Sequence, residues 1–226
     1  MMSHAARSPA TVHLLTTEDL ALVRLAAVLA AKDEAVVRDH LERAVHVVRP
    51  VWVEELILQT YLFGGFPRAL NGMREWRRVS GRAAPPADDG ERFDQAAEWL
   101  AQGEATCATV YGPFYERLRR NIRELHPALD AWMIVEGYGK VLSRSALGLA
   151  RRELCIVAAC AAAGQDRQLH SHLHGALHAG ASADAITATL DAVADLLRDN
   201  EVVRYRHLWN KVRAAHRDPG HSSDVH

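Results

Sequence analysis

The sequence predicts an all-α protein. No segment alternates apolar and polar residues as a half-buried strand would. Runs of helical length, rich in Ala and Leu, are instead punctuated by cap residues, Gly and Pro. One stretch, residues 149–182, reads as a helical hairpin and organises the rest.

In chain order, residues 1–15 form a polar lead-in expected to be flexible, and Thr16-Thr17-Glu18-Asp19 is a helix-start signal with acids in the first turn. A helix follows to about Lys32, and a second runs from about Glu34 to Val48 with Val37, Leu41, Ala44 and Val45 on one face. Pro50 opens a third helix, and Gly64-Gly65-Phe66-Pro67 breaks it and starts a fourth, reaching about Val79. The Gly, Pro and Asp content of residues 80–92 marks an exposed linker. Helices are expected at 93–102, 113–125 and 128–138, with a loop from Gly137 to Arg144. In the hairpin, Glu153 falls on the apolar arc of the first helix, which runs to Ala163. The second helix runs from Asp166 to His178 with His172 at the edge of its core stripe. Gly180 then stops it, and Ser182 caps the next helix. The end, residues 216–226, is expected to be a flexible tail.

Length and composition bound the function. The 226 residues suffice for one large or two small domains, and 49% hydrophobic residues fit a folded core. A net charge of −1 gives no reason to expect nucleic acid or an anionic membrane as partner. Apolar runs are too short for a membrane span, and the first ten residues lack the apolar core of a signal peptide, so a soluble cytoplasmic protein is expected. Cys107, Cys155 and Cys160 form no redox motif.

The order Arg152-Glu153-Leu154, a small-residue run ending at Gly164, and then His172-Leu173-His174-Gly175-Ala176-Leu177-His178-Ala179-Gly180-Ala181 resembles the carboxymuconolactone decarboxylase-like superfamily, which includes the alkylhydroperoxidase D branch. The resemblance covers most of the chain from Thr17 to about Val203. It implies the alkylhydroperoxidase D-like helical fold, a homo-oligomer, no cofactor, and a small-molecule substrate such as a carboxylated lactone or related acid that is decarboxylated or isomerised. Glu153 and His172 carry over as catalytic residues. The Cys-x-x-Cys pair of the peroxidase branch would stand at Gln165 and Gln168, so a thiol-dependent peroxidase is disfavoured. A non-catalytic binding or assembly protein on the same fold is a second rival.

At an offset of 132, residues 17–48 align with 149–180, placing His40 on His172. The chain therefore reads as two tandem, diverged units, 16–80 and 93–215, separated by the linker 81–92. Gln168, at the variable family position, His40, the counterpart of His172, and Tyr61, in a segment that lines a pocket in the family, are the candidate substrate-binding residues. A His–Glu pair can deliver one proton to carbon without a metal or a nucleophile. Arg144, Arg151 and Arg152 are the nearby cations for a substrate carboxylate, although Arg151 and Arg152 fall on the polar arc of their helix and read as surface charges. His170, His174 and His178 form an i, i+4, i+8 stripe expected on the solvent side, and no native metal site is assigned to it.

Overall fold

A computed structural model describes residues 15–217, and the lead-in before Leu15 and the tail after Arg217 lie outside the described residues. The described residues are helical with no strand, as the sequence predicts. The helices are α1 (Thr17–Ala31), α2 (Glu34–Val47), α3 (Pro50–Phe63), α4 (Phe66–Ser80), α5 (Ala96–Tyr111), α6 (Tyr115–Leu125), α7 (Pro127–Trp132), α8 (Leu149–Ala162), α9 (Asp166–His178), α10 (Ala183–Ala192) and α11 (Asp199–Arg217). Among the described residues, no helix is long and apolar enough to cross a membrane.

Local chemistry sets the starts and stops. Thr16 and Asp19 form a reciprocal capping box on α1, and the Asp33 and Ser182 side chains accept from the first-turn N–H groups of Val36 in α2 and Ala185 in α10. Gly164, at φ 67°, supplies the left-handed turn between α8 and α9.

The core is built on α1 and α8, which pack along each other. Leu22, Leu25, Ala26 and Leu29 of α1 and Ile156, Val157, Ala158 and Ala161 of α8 are buried. The alanines let the two axes approach closely. Fully burying each larger aliphatic side chain there contributes about 1.5–3 kcal/mol. Around this pair, α1 packs on α2 and α3 while α4 covers α2 and α3, and α8 packs on α9 and α10 while α11 covers α9 and α10. The cross-contacts of α1 with α10 and of α3 with α8 are likewise reciprocal. Helix starts repeat in step: α1 and α8 begin 132 residues apart (17 and 149), as do α2 and α9 (34 and 166).

One expectation is overturned. Residues 137–142 do not form a loop; α7 continues as a π-helical segment, Met133–Leu142, packed along α5, and only Ser143 and Arg144 of the expected loop lie outside a helix. Two glycines make that packing possible. A Cβ on Gly103 would lie 2.1 Å from the Ile134 carbonyl oxygen, and one on Gly139 would lie 1.9 Å from that of Trp99. The Gly-Tyr-Gly pattern that reads as loop punctuation is therefore a contact surface between two helical backbones. Residues 81–92 are indeed largely without helix. They are nonetheless tied down, since Asp88 accepts hydrogen bonds from both terminal nitrogens of Arg144 at 2.8 and 2.9 Å.

Candidate functional site

The hairpin α8–α9 brings Glu153 and His172 together. Both project into the space between the two helices, and His172 Nδ1 donates to Glu153 Oε2 at 2.8 Å. Glu153 is 0% exposed and His172 5%. The second carboxylate oxygen, Oε1, is buried with no hydrogen-bond partner. Leaving a carboxylate oxygen unpaired in an apolar interior costs about 1–3 kcal/mol or more.

The surroundings are close. Phe63, at the end of α3, meets the His172 ring edge-on with centroids 5.3 Å apart. Gly175, one turn after His172, leaves room for the carboxylate, because a Cβ there would lie 2.7 Å from both Glu153 Oε2 and Val110 Cγ1. Tyr138 and Tyr111 stack edge to face at 6.2 Å and both feel the Glu153 charge. Burial is the main cause that raises their phenols, that of Tyr111 to about 12. Gly175 stands in the motif itself, but its contact with Glu153 could not be read from spacing. Tyr111, Tyr138 and Phe63 come from other helices, and no sequence signal ties them to the hairpin.

The other candidates lie elsewhere. Gln168 is exposed on α9. Gln165, at the other thiol position, clips the turn: its amide donates to the Phe63 carbonyl at 3.0 Å, and Cys160 Sγ donates weakly to its Oε1 at 3.6 Å. His40 is half-buried on α2, donating from Nδ1 to the Val36 carbonyl at 3.0 Å, with Nε2 buried and unpartnered. Its counterpart of Glu153 under the 132-residue offset is Ala21, so the dyad has no first-half equivalent. Tyr61 lines a cavity of about 720 Å³ between α3, α4, the 81–93 strap and the π-helical segment, a cavity that includes neither Glu153 nor His172 in its walls.

The arginines require a correction. Arg152 is 0% exposed, not a surface charge. The helix face that looks polar on a wheel is covered by α3, whose Glu55 and Gln59 accept hydrogen bonds from its Nη2 and Nη1 at 2.5 and 3.3 Å. Arg152 Nη2 also donates to the Arg144 carbonyl at 3.0 Å. Burial pulls the guanidinium below its ordinary pKa despite the pull of Glu55. Arg144 is shared between Asp88 and Glu55. Arg151 is half-buried, donates to Asp19 at 2.5 Å and lies 3.9 Å over the Trp52 ring. All three cations near the hairpin are thus engaged by carboxylates.

The histidine stripe is also more enclosed than expected. His170, His174 and His178 are half-buried, with His170 and His174 ring centroids 5.1 Å apart and His178 stacked toward His216 at 6.2 Å. Burial, reinforced by the neighbouring histidines, pushes His174 down to about 4. Among the described residues no group of His, Cys, Asp or Glu has the arrangement to hold a metal ion.

No curated protein matches the chain. The segment 127–210 matches the Carboxymuconolactone decarboxylase family. That segment begins at α7, ends within α11 and contains both Glu153 and His172. Over Pro127 to Asn210, then, the chain is similar to the Carboxymuconolactone decarboxylase family, and the Arg-Glu-Leu and His-Leu-His-Gly motifs that carry the resemblance lie inside that segment.

Proposed function

We propose that Glu153 and His172 are the acid–base pair of a cofactor-free decarboxylase or double-bond isomerase acting on a small carboxylated lactone or related acid. The observation that carries this reading is the buried carboxylate, hydrogen-bonded to the imidazole through one oxygen and unpartnered at the other. In a decarboxylation, the bond to the carboxylate breaks, carbon dioxide leaves, and the electron pair stays on carbon as an enolate. His172 then delivers one proton to that carbon, with Glu153 stabilising the imidazolium before transfer. Water restores the proton. In an isomerisation the same pair removes a proton at one carbon and returns it at another.

A thiol-peroxidase chemistry finds less support. Cys107, Cys155 and Cys160 are buried, and burial raises the first two thiols to about 12 and the third further still. A nucleophilic thiol needs the opposite setting.

One observation favours a second reading. With Glu153 at 0% and His172 at 5% exposure, the pair also has the burial of a structural tie between α8 and α9. Carbon dioxide release from a panel of carboxylated lactones and β-keto acids separates the two. Glu153→Gln is expected to lower turnover roughly 10²-fold or more while leaving the urea midpoint near that of the wild type. A lowered midpoint with unchanged turnover supports the structural tie, and a wild type inert toward the whole panel refutes the enzymatic reading.

The tandem organisation belongs with this proposal. The matched helix starts and the reciprocal packing support descent from a duplicated unit, with the acid–base pair kept only in the second copy. A homo-oligomer is part of the same reading, supported by apolar side chains left exposed at Leu129 and Trp132. Sedimentation velocity tests it, and a monomer at micromolar concentration would overturn it.

A further inference from the structure

We propose that the cavity lined by Tyr61 is a second ligand site, separate from the Glu153–His172 pair, and that it takes a lipophilic amine: a small apolar or aromatic body bearing one protonated nitrogen. At about 720 Å³ it has the size of a small-molecule site. Leu58, Met73 and Val141 supply an apolar floor, and Tyr61, Phe66 and Phe93 supply aromatic rings. Phe66 and Phe93 are 62% and 75% exposed, so the rings stand at the mouth and not in the core.

The charge balance chooses the ligand's sign. Five carboxylates line the cavity against three cations. Two of the cations are consumed: Arg77 by Glu54, at 2.7 and 3.0 Å, and Arg144 by Glu55 and Asp88. The third, Lys140, lies 4.9 Å over the Phe93 ring and 4.6 Å over Trp99, a wall of the neighbouring cavity. One lining carboxylate, Glu91, is left over, and Glu136 is only partly neutralised: it pairs with Lys140 at 3.4 Å yet keeps 43% of its side chain exposed. Glu91 is exposed on the strap. An ammonium placed near Glu136 against the Tyr61 and Phe66 rings gains a counter-charge and aromatic faces together, whereas a carboxylate meets surplus negative charge. Burial, and after it the Glu136 charge, raises the Tyr61 phenol.

Isothermal titration of the full chain at pH 7 with 9-(aminomethyl)anthracene, 9-anthracenemethanol and 9-anthracenecarboxylic acid tests the assignment. The amine is expected to bind roughly tenfold or more tighter than the alcohol, and the acid more weakly than either. Glu136→Gln should bring the amine to the alcohol's affinity and leave the alcohol unchanged. Phe66→Ala should weaken the amine and the alcohol together, and Glu153→Gln should alter neither, which keeps this site distinct from the acid–base pair. The proposal is overturned if the acid binds as tightly as the amine, if no probe binds, or if Glu136→Gln leaves the amine's advantage intact. A dimer that dissociates on Phe66→Glu without amine binding in the wild type would mean that a second copy covers the cavity, and would overturn it too.

Discussion

The buried contact between Glu55 and Arg152 predicts an asymmetry that a symmetric view of an ion pair would miss. The two side chains are 4% and 0% exposed and meet at 2.5 Å. Replacing either by Met, close in volume and without charge, breaks the same contact. The consequences differ because of what each partner has left. In Arg152→Met, Glu55 keeps Arg144, which donates to it from Nε and Nη2 at distances of 2.7–3.0 Å. Glu55 Oε2 loses its Arg152 donor but keeps Arg144 Nε at 2.9 Å, and the acceptors left with one donor fewer besides it, Gln59 Oε1 and the Arg144 carbonyl, are neutral, which costs about 1–2 kcal/mol. In Glu55→Met, Arg152 keeps those two neutral acceptors at 3.3 and 3.0 Å but no counter-charge, and its Nε already lacks a partner. A buried charge stripped of its partner costs about 3–5 kcal/mol. Glu55→Met is therefore expected to be more destabilising than Arg152→Met by about 2 kcal/mol. The double variant should be more stable than Glu55→Met alone, since removing Arg152 removes the orphaned charge. Urea unfolding monitored by circular dichroism, with m-values compared, reads all three. Equal losses in the two single variants, or strictly additive losses in the double, would refute the reasoning.

Further expectations follow from other contacts. Gly175→Ala should be destabilising by up to about 2 kcal/mol, because overpacking at Val110 and Glu153 outweighs the helix-propensity gain of about 1 kcal/mol; a urea midpoint above the wild type's would contradict the 2.7 Å approach. His174, held near 4 in the fold against an ordinary value of 6.5, binds its proton more readily in the unfolded chain. Stability should fall as pH drops from about 6.5 toward 4, and His174→Leu should flatten that part of a melting-temperature profile; an unchanged slope would show that another group sets it. Cys107, Cys155 and Cys160 should stay unreactive toward DTNB in the native protein and titrate fully in urea, whereas rapid labelling of any one in the native state would reopen thiol chemistry.

What the sequence makes legible here is whatever one helix or one hairpin decides. The helix start at Thr16, the cap at Ser182 and the turn at Gly164 follow from neighbouring residues, and the structure places them where the sequence does. Glu153 and His172 meet because a three-residue link makes α8 and α9 antiparallel neighbours, a constraint local to the hairpin. A helical wheel assumes one buried face and one wet one, and α8 breaks that assumption by packing against helices on several sides. Arg152 is the result: polar on the wheel, yet buried, because Glu55 and Gln59 reach it from nearly a hundred residues earlier in the chain. Gly139 reads as loop punctuation for the same reason, since its role depends on the Trp99 carbonyl of another helix. Tyr61 shows the limit most sharply. Sequence resemblance could nominate it as a pocket residue, and it does line one, but which pocket depends on how the strap through Asp88 is pinned by Arg144. The Glu153–His172 contact is thus a property of a local motif, whereas the cavity beside Tyr61 is a property of the tertiary fold. Substitutions that alter one without the other are the natural way to tell them apart.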